Sequence, residues 1–149
     1  MEIRASLDSS TLLKIARLGI ARELATAAFI EPRYGLKSAE LKVLLALRIE
    51  AMTMSQLSRE TRLDKAWVSR SVYGLVERHL VAMSPIPDDG RAVLLKLTAA
   101  GRKLMKEMAP ILDEREKRLL LGLDKDHVNW LLDTLLQRLE SMRTKPPFG

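Results

Sequence analysis

Apolar residues recur at helical spacing through most of this chain and give way to strand-like alternation in one short region. Leu12, Leu13, Ile15, Ala16, Leu18, Ile20, Leu24, Ala27 and Ala28 predict a helix from about Ser10 to Ile30. Asp8, Ser9 and Ser10 offer capping oxygens at its start, and Pro32 with Gly35 predicts its stop. Its apolar residues cover more than one face. In a small protein such a helix needs a second partner, and another copy of the chain is the natural one. A second helix begins near Ser38 and carries Leu41, Leu44, Leu45 and Leu47 to about Glu50.

Residues 53–103 are the most informative stretch. Thr53 and Gln56 have capping-box spacing for a short helix over Met54–Thr61. Leu63 and Asp64 form a turn, and Asp64 caps a longer helix over Lys65–Arg78. Val81–Ser84 and Val93–Leu97 alternate as two strands joined by the turn residues Pro87, Asp88, Asp89, Gly90 and Arg91. Thr98 caps a long helix that Pro110 should bend and Gly122 should stop. Asp124 opens a last helix with Val128, Leu131, Leu132, Leu135, Leu139 and Met142 at helical spacing. The tail Lys145–Gly149 is expected to fray. The fold class is therefore mainly α with a small β-hairpin wing: a winged helix-turn-helix plus a helical dimerisation region.

Composition narrows the function. Hydrophobic residues make up 47% of the 149-residue chain but aromatic residues only 4%, which suits a helical core of Leu, Ala, Ile, Val and Met. The net charge is +6. Residues 53–103 carry 9 basic and 5 acidic side chains, residues 1–52 carry 8 and 6, and residues 104–149 carry 8 of each. The excess thus sits in the helix-turn-helix stretch and favours a polyanionic partner, double-stranded DNA. With no cysteine, disulfides, thiolate zinc sites and thiol redox sensing are excluded, and a reducing cytoplasm fits. The apolar stretch Leu12–Ile30 is interrupted by Lys14, Arg17, Arg22 and Glu23, so it is not expected to cross a membrane.

The helix over Lys65–Arg78 divides by angle. Val68, Val72, Leu75 and Val76 fall inward, with Ala66, Arg70, Tyr73 and Glu77 opposite and Trp67 and Ser69 on the flanks. Ala66 permits close approach to a groove, and Arg70 suits guanine or a phosphate. Ser69 can donate to either, while Trp67 and Tyr73 suit thymine methyls or sugars. At the hairpin tip, Asp89 and Arg91 stand two apart, so the carboxylate can brace the guanidinium toward a minor groove.

At these residues the chain resembles the MarR family of bacterial winged-helix regulators. The resemblance rests on Leu36–Leu47, on Ser55-Gln56-Leu57-Ser58, and on Trp67-Val68-Ser69-Arg70 with Leu75 and Glu77. It continues through Leu80-Val81, Asp89-Gly90-Arg91 and Leu97-Thr98-Ala99-Ala100-Gly101. It implies a homodimer in which residues 1–35 and 104–149 interlock and residues 36–103 bind DNA. It also implies repression from a palindromic operator, released when a small aromatic or phenolic acid binds between the dimerisation helices and the reading head. The residues then expected to meet DNA are Ser55, Lys65, Ala66, Trp67, Ser69, Arg70, Tyr73, Arg78, Asp89 and Arg91. Two positions depart from the family pattern. His79 stands where a glycine usually follows the reading helix, and Met83 replaces a basic residue in the first wing strand, which either weakens phosphate anchoring or leaves more of it to Arg78.

Rival chemistries find little support. His79 and His127 are the only histidines, and Asp113, Glu114 and Glu116 read as a solvated helix face rather than metal ligands. Asp88 and Asp89 are adjacent in a tight turn and diverge, with no apolar wall to raise either pKa for catalysis. No phosphate-binding glycine loop or nucleophile motif occurs, so neither an enzyme nor a cofactor is expected. The alternative from another class is a dimeric protein–protein module that kept the winged helix and lost DNA binding. Met83 points toward it; Arg70, Asp89 and Arg91 point against it.

Overall fold

Capping chemistry starts the helices where the sequence places it. The computed structural model describes residues 10–87 and 89–144, without the side chains of residues 90, 91 and 144. Asp8, Ser9 and the tail Lys145–Gly149 therefore lie outside the described residues. Helix α1 (Thr11–Tyr34) begins at Ser10, whose hydroxyl accepts from the Leu13 N–H at 3.5 Å. Expected to stop at Ile30, it runs through Pro32 and ends where Gly35 turns left-handed at φ 62°. A proline so near the end removes one hydrogen bond only, and the Gly35 N–H still closes the turn onto the Glu31 carbonyl at 2.8 Å.

Helix α2 (Ser38–Ile49) is opened by Glu40, whose carboxylate accepts from the Lys37 N–H at 2.9 Å. In α3 (Met54–Thr61) the capping box closes both ways: Thr53 N–H donates to Gln56 Oε1 at 2.8 Å, and Gln56 N–H to Thr53 Oγ1 at 3.3 Å. Helix α4 (Lys65–Glu77) is capped by Asp64, whose Oδ1 accepts from Trp67 N–H at 2.8 Å. The Ser58 hydroxyl donates to the Leu63 carbonyl at 2.7 Å and fixes the turn between α3 and α4.

The end of α4 explains how His79 stands in for glycine. Its N–H donates to the Val76 carbonyl at 2.9 Å, and Leu80 N–H reaches back to the Leu75 carbonyl at 2.9 Å. This is a Schellman closure, and it forces His79 to φ 58°. A side chain in that region carries a steric penalty that glycine lacks. His79→Gly should therefore stabilise the fold by about 1 kcal/mol in urea denaturation; a loss of stability would contradict the assignment.

The sheet has three strands in the order β1-β3-β2, all antiparallel. Strand β1 is only Met52–Thr53, paired with Leu95 and Leu94, and nothing in the local pattern announced it. Strands β2 (Val81–Ile86) and β3 (Asp89–Leu97) are longer than the alternation suggested. Pro85 is tolerated because β2 is an edge strand. The register jumps from Pro85↔Val93 to Ile86↔Asp89, so residues 90–92 bulge out of β3.

Helix α5 (Ala99–Leu119) continues through Pro110 as one helix and ends before Gly122, which is left-handed at φ 78°. Helix α6 (Lys125–Thr144) starts at Asp124, whose Oδ1 accepts from His127 N–H at 3.0 Å. The chain forms two compact units, residues 1–106 and 107–149. In the first, Val43, Leu44, Leu57, Val68, Val72, Leu75 and Leu95 are fully buried and hold α2, α3, α4 and β3 around one core. In the second, α6 leaves Trp130, Leu131, Leu132, Leu136, Leu139 and Met142 exposed. Among the described residues no helix is long and apolar enough to cross a membrane.

Candidate nucleic-acid interface

The two faces of α4 separate as the angular pattern predicts. Val68, Val72 and Leu75 are buried, and Val76 is half-buried. Ala66, Trp67, Arg70, Tyr73 and Glu77 are exposed, and Ser69 is half-buried on the flank. Lys65 is exposed at the first position of α4, and Ser55 is exposed in the first turn of α3. Ser71, which the pattern did not single out, is buried alongside the apolar face. Gly74 has a packing role: a Cβ there would lie 3.0 Å from Glu40 Oε1, so its absence lets α4 approach α2.

Arg70 is the most pointed feature of the exposed face. Its guanidinium carbon lies 4.5 Å from the centre of the Trp67 ring. Residues three apart on a helix are surface neighbours, so the sequence spacing permits this stack. Tyr73 lies one turn further along the same face, 54% exposed despite its ring.

Arg78 serves the fold. Its guanidinium donates to the carbonyls of Gly35 at 2.9 Å and Tyr34 at 3.0 Å, and lies 3.9 Å from Glu40. A cation closing the carbonyl end of α1 also meets the negative end of the helix dipole. The expected transfer of phosphate anchoring from position 83 to Arg78 thus meets a guanidinium already held by α1. Met83 itself pairs with Leu95 and is half-buried.

Behind α4 lies a cleft of about 390 Å3, lined by Glu23 and Glu31 of α1, Ser38 and Lys42 of α2, Leu63 and Trp67. Glu23 is its most connected group: Lys42 Nζ lies 2.7 Å away, and Ser38 Oγ and Arg22 also donate to it. Burial alone would raise its pKa. The hydrogen bonds from Lys42 and Ser38, with the charges of Arg22 and Lys42, outweigh that and hold it below the usual carboxylate value. Sequence reading missed this cluster because Ser38 and Lys42 lie 15 and 19 residues from Glu23 and follow no motif with it.

In the wing, Asp89 is exposed at the start of β3, and the backbone of Arg91 lies within the bulge. The expected brace between them involves the Arg91 side chain and lies outside the described residues. Among the described residues, no three His, Asp or Glu side chains gather as metal ligands would.

Comparison with known proteins agrees with this architecture. Residues 34–92 match the MarR family. The HTH-type transcriptional repressor NicR of Pseudomonas putida is 36% identical over 76 residues, half of this chain and 48% of NicR, so the match spans about half the length of that relative. A MarR/EmrR family transcriptional regulator from Acinetobacter sp. ADP1 superposes with a TM-score of 0.83 at 26% identity, covering 91% of this chain and 99% of that one. Bordetella bronchiseptica BpsR, whose DNA binding is regulated by 6-hydroxynicotinic acid, superposes with a TM-score of 0.71 at 29% identity, covering 88% and 99%. Its winged helix thus matches the MarR family over residues 34–92, and its fold is shared with a MarR/EmrR family regulator over nine-tenths of its length.

Proposed function

We propose that this protein is a sequence-specific transcriptional repressor that binds an inverted-repeat operator as a homodimer and releases it on binding a small aromatic acid. The observation that carries this reading is α4: an apolar back locked into the core, and a front presenting Ala66, Arg70 and Tyr73 to solvent. The residues assigned to DNA are Ser55, Lys65, Ala66, Ser69, Arg70, Tyr73 and Arg78, with Asp89 and Arg91 on the wing and Trp67 beside Arg70. Residues 36–103 form the reading head, and residues 1–35 with 104–149 join the two copies. Exposed Leu12, Leu18, Ile20 and Leu24 on α1, together with the apolar residues of α6, favour that assignment. The protein acts in the cytoplasm by binding alone and performs no catalytic step.

Binding to a random duplex, titrated with salt, tests the reading directly. A phosphate reader must weaken linearly on logarithmic axes, with a slope of about −0.9 per neutralised phosphate. Replacing Arg91 with alanine should weaken cognate and random duplex alike and reduce the slope by about one unit per site. Affinity indifferent to salt would instead favour a protein–protein module. For the ligand, 6-hydroxynicotinic and salicylic acids should raise Tm and lower operator affinity; failure of such acids to do either would remove the aromatic-acid assignment and leave DNA binding standing.

A further inference from the structure

Arg70 combines two properties on the exposed face of α4. Its guanidinium is stacked on an indole at 4.5 Å, and among the described residues it has neither a hydrogen bond nor an ion pair. Stacking occupies the face of the guanidinium and leaves its five N–H donors, which point outward in the plane, unused. A carboxylate brace would do the opposite, because it would fill the fork that guanine O6 and N7 need. The backbone N–H of Trp67 donates to the Asp64 cap at 2.8 Å, and its side chain, 50% exposed, borders the cleft it shares with Leu63, Ser38 and Lys42.

We infer that Trp67 is a positioning residue for DNA reading: it holds Arg70 by the guanidinium face, so that the donor edge meets the base already aimed. The inference rests on the DNA-binding reading above and differs from direct contact between Trp67 and thymine methyls or sugars. A long arginine loses considerable rotamer freedom when it binds, and a stack formed beforehand removes part of that loss. Trp67 therefore contributes through Arg70 alone.

A double-mutant cycle separates the two roles. The probe is a duplex selected from a random pool by the wild-type protein. Trp67→Ala should weaken binding to it roughly three- to thirtyfold, and random duplex much less. Trp67→Phe, which keeps a ring face, should restore most of the loss and keeps the test informative if alanine disturbs α4. In the Arg70→Ala background, Trp67→Ala should cause no further loss. Losses that multiply would mean that Trp67 touches DNA itself and would overturn the proposal while leaving the DNA reading intact. A wild type that binds no duplex would overturn both. The stack also has a signature without DNA: Arg70→Ala should change the tryptophan emission of the free protein, and should change nothing in the Trp67→Phe background. Emission blind to Arg70 in the wild-type background would show that the stack is not populated.

Discussion

Gly101→Ala should cost roughly 3 kcal/mol or more of folding free energy, far beyond what one methyl group usually does. A Cβ at position 101 would lie 2.1 Å from the Leu80 carbonyl oxygen and 3.4 Å from a Leu97 methyl. The obstacle is backbone, which no rotamer change can move aside. That carbonyl also accepts from Thr98 N–H at 3.0 Å, and the Thr98 hydroxyl caps Gly101 N–H at 3.0 Å while donating to the His79 carbonyl at 2.6 Å. Four residues thus lock the start of α5 to the end of α4 and the first wing strand. Relief of the clash requires pulling these apart, so the wing should loosen with the loss of stability. Urea denaturation of Gly101→Ala beside Ala100→Gly checks this; a Gly101→Ala protein as stable as wild type would rule out the close approach.

Loss of the dimer is the second large effect expected. In the single chain Leu132 and Leu136 of α6 are 45% and 61% exposed, so replacing both with glutamate should leave that chain's own packing nearly unchanged. If a second copy covers what remains exposed, each leucine contributes roughly 0.7–1.8 kcal/mol, and four such sites in a two-fold pair amount to roughly 3–6 kcal/mol. That is about two to four orders of magnitude in dimer affinity, before the penalty of burying carboxylates. Sedimentation equilibrium should find the wild type at twice the chain mass, and the double variant monomeric or aggregated. Operator binding should fall with it, because half-sites about 10 bp apart demand two linked heads. A double variant that stays dimeric and binds normally would place the interface elsewhere.

The parts of this protein that were legible in its sequence share one property: they depend on residues three or four apart. The caps at Thr53, Asp64, Thr98 and Asp124 were readable because a side-chain oxygen reaches an N–H three residues on, whatever the rest of the chain does. The inward set Val68, Val72 and Leu75 was readable because helical spacing alone puts them on one face. The left-handed demand at position 79 was readable from the absence of the usual glycine, and the chain meets it with a histidine at φ 58°.

What only the tertiary structure decided depends on segments distant in sequence. Arg78, expected as a phosphate anchor, donates to the carbonyls of Gly35 and Tyr34 at the end of α1, 43 and 44 residues away. No local rule announces which distant carbonyls an arginine will meet. Strand β1 is two residues whose only reason to be extended is the free edge that β3 offers near Leu94 and Leu95. The Glu23 cluster and the cleft beside Trp67 exist because α1 and α2 pack together, which periodicity predicts only as a fact of burial and never as a register. Sequence determined the elements and the exposed face of α4, because backbone geometry enforces them residue by residue. Packing decided which polar side chains hold the fold and which stay exposed, because that choice is settled by whatever lies opposite.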